Sequence, residues 1–168
     1  MSQTVEPQLD RLVETLIAHR VQFVVIGGFA VVAHRFVRAT NDSDVLVPDD
    51  TDNDRRAIAA LSALGGLRER DKAPLREQHL AGAAHLRALT SAGLVDVMRG
   101  GLAPLDFATV AARAITARTP GGEGFLIAGL ASIVAFKRLA GRPQDQADLA
   151  ALEEAKGSLP MVAVPGLD

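Results

Sequence analysis

The chain has 168 residues, 48% of them hydrophobic, and its 18 basic and 20 acidic side chains leave a net charge of −2. This length predicts a single domain around one core, and so balanced a charge excludes a global field that would drive the protein onto nucleic acid or a membrane. Cysteine is absent, which excludes disulfides, thiolate metal sites and a cysteine nucleophile; Trp and Tyr are absent too, and six Phe give a base-stacking platform little to build with.

Residues 1–7 lack the basic-then-apolar order of a signal peptide, and no apolar run reaches about 18 residues, so a cytoplasmic protein without a membrane segment is expected. Leu9, Leu12, Val13, Leu16 and Ile17 recur at helical spacing and predict a first helix that stops near His19-Arg20. Residues 21–26 form a β-rich run ending at Gly27-Gly28, as a buried strand does on entering a turn. A short helix over 29–36 and a strand over 44–47 follow, then a helix over 54–64 stopped by Gly65-Gly66. Residues 68–78 carry Arg68, Arg70, Lys72 and Arg76 among acidic neighbours and read as an exposed loop or hairpin. Residues 85–90 and 94–98 are strand candidates separated by a turn. A helix over 105–114, a short strand over 125–127 and helices over 130–139 and 145–156 complete the core. The expected domain is therefore 1–157, with residues 158–168 a loose tail.

Two aspartates, Asp42 and Asp44, stand at the start of the second strand. Side chains two apart on a strand point the same way, so both carboxylates are aimed at one place. Unscreened by a cation, they repel by roughly 3–4 kcal/mol at an effective dielectric near 20 and a separation of about 4–5 Å. Either one of them titrates or something positive binds between them. Mg²⁺ suits such a site, because it takes one or two carboxylates and leaves its other positions to water and phosphate oxygens.

Taken in order, Gly27-Gly28, a helix, Arg38-x-Thr40-x-Asp42-x-Asp44 and an apolar strand resemble the signature of the nucleotidyltransferase superfamily that includes polymerase beta. Within it the chain looks most like the minimal nucleotidyltransferases and the AbiEii-type toxins of bacteria. Asp96, in Leu94-Val95-Asp96-Val97-Met98, resembles the third carboxylate of that family. Lys137 followed by Arg142-Pro143-x-Asp145-x-x-Asp148 resembles its C-terminal signature.

The resemblance implies an α/β nucleotidyltransferase fold, a small mixed sheet flanked by helices with a helical C-terminal portion. It implies Mg²⁺-dependent transfer of a nucleotide from an NTP to an acceptor hydroxyl, which is chemistry of positioning and charge neutralisation. Asp42, Asp44 and Asp96 are then the metal set, with Asp96 also able to accept the proton of the attacking hydroxyl. Gly27 and Gly28 let backbone approach the triphosphate. Lys137 meets it as a point charge, and Arg38, Thr40, Arg142 and Asp148 complete the nucleotide site. The leading acceptor is the 3′ end of tRNA, held by Arg68, Arg70, Lys72 and Arg76, with a cognate antitoxin as partner. A protein side chain or a small molecule such as an aminoglycoside is the other acceptor class, and a domain that binds nucleotide or a partner without turnover is the reading outside enzymes. The chain departs from the family pattern at Arg35, Ser43 and Gln144.

Overall fold

The computed structural model describes residues 7–33 and 40–168. Helix α1 (Leu9–Ala18) buries Leu12, Val13 and Leu16, the stripe its periodicity calls for. Strand β1 (Val24–Ile26) is fully buried and runs directly into α2 (Gly27–Ala33). The predicted helix over 29–36 thus starts earlier, and its last part lies outside the described residues, as do His34, Arg35 and Arg38. Strand β2 (Ser43–Val47) is followed by α3 (Thr51–Ala63), which begins before the predicted helix because the Asp50 carboxylate accepts the Asn53 N–H at 2.7 Å and caps it.

Next come β3 (Leu67–Arg68), the single turn α4 (Gln78–Ala81) and the hairpin of β4 (His85–Thr90) with β5 (Gly93–Arg99). Helix α5 (Phe107–Ala112) leads to β6 (Ile115–Arg118) and β7 (Gly124–Ile127), and the chain closes with α6 (Leu130–Ala140) packed on α7 (Pro143–Lys156). The seven strands form one mixed sheet in the order β3-β4-β5-β2-β1-β7-β6. Its centre is β2, antiparallel to β1 and parallel to β5. The core sits against these three strands, with Val24, Val25, Val45, Val47, Val95 and Val97 buried.

Several boundaries differ from the expectation for identifiable reasons. The first strand is shorter than 21–26 because both backbone groups of Gln22 bond to the Asn53 side chain rather than to a neighbouring strand. The helix expected over 105–114 is shorter, Phe107–Ala112, and residues 115–118, for which the sequence predicts no element, form edge strand β6; three of the four are exposed, so no apolar alternation marks them. The C-terminal residues are docked rather than loose: Val164 is buried against Leu105, Ala135 and Phe136, and Arg138 holds the Val162 carbonyl at 3.1 Å and the Asp168 carboxylate at 2.7 Å. No helix among the described residues is long and apolar enough to cross a membrane.

Candidate active site

Strand register assembles the acidic cluster. Asp44 on β2 lies opposite Ile26 on β1 and opposite Asp96 on β5, and Asp96 in turn lies opposite Arg87 on β4. Asp42, two residues before Asp44, reaches the same face. One carboxylate oxygen from each of Asp42, Asp44 and Asp96 falls within 4.8 Å of the others. Flanking Val95 and Val97 are buried on the opposite face, as alternation requires.

Three carboxylates at this spacing do not all stay ionised. Burial, then the charges of Asp42 and Asp96, push Asp44 up to about 7. Asp42 is also raised, first by burial and then by its hydrogen bond to Asp96 and the Asp96 charge. The donor set is all hard oxygen and short of positive charge, which fits a divalent cation of the Mg²⁺ kind. These residues can coordinate such an ion.

Two members of the site were not anticipated. His85 Nε2 lies 2.7 Å from Asp96 Oδ1, and Arg87 Nη1 donates to Asp96 Oδ2 at 3.1 Å while standing 3.6 Å from Asp42 Oδ2. The hairpin turn carries a signal for this: stepping back three residues from Thr90 and forward three from its partner Gly93 reaches Arg87 and Asp96. Ser43 points away from the cluster, fully buried, and its hydroxyl has no hydrogen-bond partner among the described residues.

The cluster lines a cleft of about 770 Å³, a size that suits a small-molecule ligand. Gly27, Gly28 and Thr40 form one part of its wall, and Lys137, Arg142, Gln144 and Asp145 another. Met98, Ile133, Phe136 and Leu139 add apolar surface to the lining. Gly28 faces Thr40 so closely that a Cβ there would meet the threonine methyl and hydroxyl at 3.1 Å.

The C-terminal signature is a buried charge network. Lys137 Nζ is 2.7 Å from Asp148 Oδ2 and 3.6 Å from Asp145 Oδ1, with the lysine side chain 8% exposed. Gln144 donates to the other Asp148 oxygen at 2.9 Å. Asp145 caps α7 by accepting the Arg142 N–H, and it also takes the Arg142 Nε at 2.7 Å. Burial acts to raise Asp145, but Arg142 beside it holds the carboxyl below its ordinary range. Arg142 remains 74% exposed and extends along the cleft wall, whereas Asp148 is not part of that wall. Arg68, Arg70, Lys72 and Arg76 are likewise absent from it. Arg68 stands on edge strand β3, two strands beyond β5, paired with Asp71, and Lys72 donates to the Glu69 carbonyl.

No family model matches the sequence, and no curated protein does. Solved structures do. The crystal structure of ANT(2'')-Ia in complex with adenylyl-2''-tobramycin superposes with a TM-score of 0.60 at 14% identity, over 89% of this chain and 87% of that one. The solution structure of the antibiotic-resistance factor ANT(2'')-Ia gives 0.59 at 13% identity, over 89% and 84%. The chain shares the overall fold of ANT(2'')-Ia, a mixed sheet flanked by helices with a helical C-terminal portion. At such identity the likeness is one of architecture, and the chemistry has to be argued from the cleft itself.

Proposed function

We propose that this protein is a Mg²⁺-dependent nucleotidyltransferase that moves a nucleoside monophosphate from an NTP to a hydroxyl of a small-molecule acceptor. The observation that carries the reading is the convergence of Asp42, Asp44 and Asp96 within 4.8 Å at the wall of a cleft about 770 Å³ in size. Asp42 and Asp44 would hold the metal, with Asp96 completing its shell. A bound divalent ion supplies neutralisation of phosphate charge and a lowered pKa for the attacking hydroxyl.

The residues of the chain do the rest. Gly27 and Gly28 admit the phosphates close to the backbone, with Thr40 beside them. Arg142, its guanidinium hydrogen-bonded to Asp145, offers a positive charge at the cleft wall. The acceptor oxygen forms a bond to the α-phosphorus as the bond to the α,β-bridging oxygen breaks; pyrophosphate leaves, and the hydroxyl proton passes to the Asp96 carboxylate. Lys137 acts through the network it anchors, since its ammonium is held by Asp148 and Asp145.

A small acceptor is favoured over the 3′ end of tRNA because the basic residues meant to hold RNA lie on another part of the surface, and Arg68 and Lys72 already have local partners. The shared fold with ANT(2'')-Ia, which was crystallised with an adenylylated tobramycin, points to an aminoglycoside-type polyol as the first acceptor to try. The test incubates the protein with Mg²⁺ and each NTP against a panel of aminoglycosides, tRNA and protein, followed by mass spectrometry. Gain of one nucleoside monophosphate on a small acceptor is expected. Gain on tRNA 3′ ends, with loss of that gain on replacing Arg70 and Arg76, would return the reading to a toxin and bring the cognate antitoxin with it.

A further inference from the structure

We infer that Arg87 is a built-in counter-cation of the carboxylate cluster, standing between Asp42 and Asp96 where a metal ion belongs, so that metal binding requires its guanidinium to leave. The inference rests on the metal reading of the cluster and adds a competitor to it.

Its geometry is that of a substitute ion. A single nitrogen, Nη1, lies 3.1 Å from Asp96 Oδ2 and 3.6 Å from Asp42 Oδ2, bridging two of the three carboxylates. Cross-strand pairing of Arg87 with Asp96 delivers it there without any reach from a loop. The Arg142 guanidinium, another cation near the cluster, is tied to Asp145 instead.

The arrangement can also be undone. The Arg87 side chain is 40% exposed, so it has a path to solvent, whereas the Asp96 side chain is only 9% exposed at the cleft wall. His85 holds the other Asp96 oxygen at 2.7 Å, so the carboxylate stays oriented when Arg87 departs. A guanidinium seated on Asp42 and Asp96 and a divalent ion held by the same carboxylates would repel each other. Arg87 therefore keeps the metal-free cluster folded and makes metal uptake a displacement.

The two roles open to such an arginine predict opposite signs. A residue that merely orients the ligands weakens metal binding when removed; a competitor strengthens it. The experiment is calorimetric titration of Mg²⁺ and Mn²⁺, without nucleotide, onto wild type, Arg87→Met and Arg87→Gln, with thermal unfolding of each in chelator and in Mg²⁺. Expected are metal affinity about tenfold tighter in both variants, a lower melting temperature in chelator, and a larger rise on adding metal. Unchanged or weaker affinity in a variant that still unfolds cooperatively overturns the inference and leaves the metal site standing. Failure of wild type and both variants to bind either ion overturns the inference together with the metal reading. If neither variant folds in chelator, Arg87→Lys is titrated in their place, with tighter binding expected from its shorter reach; affinity equal to or below that of wild type overturns the inference.

Discussion

A Cβ placed on Gly27 would lie 2.2 Å from Asp44 Oδ2 and 2.7 Å from its carboxyl carbon. The residue also has φ +70°, a conformation that L side chains rarely adopt. Glycine at this position is thus the condition for Asp44 to stand in the cluster.

Gly27→Ala should therefore displace Asp44. A shift of about 1 Å at a reacting centre costs about 10²-fold, and at least that loss is expected in nucleotidyl transfer, with about 1–2 kcal/mol of stability from the left-handed backbone alone. Gly28→Ala meets only the flexible end of Thr40 at 3.1 Å and should be milder in both respects. Transfer rates and urea unfolding of the two variants check this; equal losses would show that the Asp44 contact is not what matters.

Lys137 gives a prediction about stability before catalysis. Its removal takes the ammonium away from the buried Asp148 carboxylate, and breaking one partner of a buried pair costs about 3–5 kcal/mol. Lys137→Ala should lower the unfolding free energy by about 3 kcal/mol, and the double variant Lys137→Ala, Asp148→Ala should lose less than the two single losses combined. A stable Lys137→Ala protein whose defect lies only in the KM for NTP would mean that the ammonium leaves its partners to meet the triphosphate.

The carboxylate cluster makes the metal-free protein sensitive to pH in a definite direction. An unfolded Asp loses its proton near 4, while Asp44 in the fold keeps it to about 7, so between those values the folded state binds more protons. Stability should fall as pH rises through this window, by about 2 kcal/mol once solvation of the partly exposed carboxyl is allowed for. Asp42, raised as well, works in the same sense. Asp145, held low, gains stability for the fold only above the unfolded value near 4 and loses it on acidification below that. Urea midpoints from pH 4.5 to 7.5 in chelator should decline, and Mg²⁺ should flatten the decline; a flat profile in chelator would show that Asp44 is ionised without a cation.

What the sequence made legible was local. Asp42 and Asp44 share a strand face by alternation, and Asp96 stands out as a carboxylate flanked by Val95 and Val97. The glycine pair at the end of an apolar run marked the turn into α2. Arg87 and His85 were missed because the hairpin was expected without its register, and it is the register that sets Arg87 opposite Asp96. Arg142 and Lys137 were both recognised as cations of one motif, but nothing in their spacing says that one is buried among carboxylates and the other exposed. Edge strand β6 lacks an inward-facing apolar row, and the docking of the C-terminal residues hangs on one buried side chain, Val164, and one arginine, Arg138. Long-range pairings of this kind are properties of the folded chain, with no periodicity to announce them.

The measurement that bears most directly on the proposed function is transfer of label from α-phosphate-labelled NTPs, run with wild type, Asp44→Asn and Asp96→Asn, in Mg²⁺ and in chelator, with small-molecule acceptors present. The expected result is covalent labelling of an acceptor by wild type in Mg²⁺, abolished by chelator and reduced at least about 10²-fold in each variant while both remain folded. Labelling that survives chelator or either substitution, or no labelling of any acceptor by a protein that binds Mg²⁺ and NTP, would contradict it.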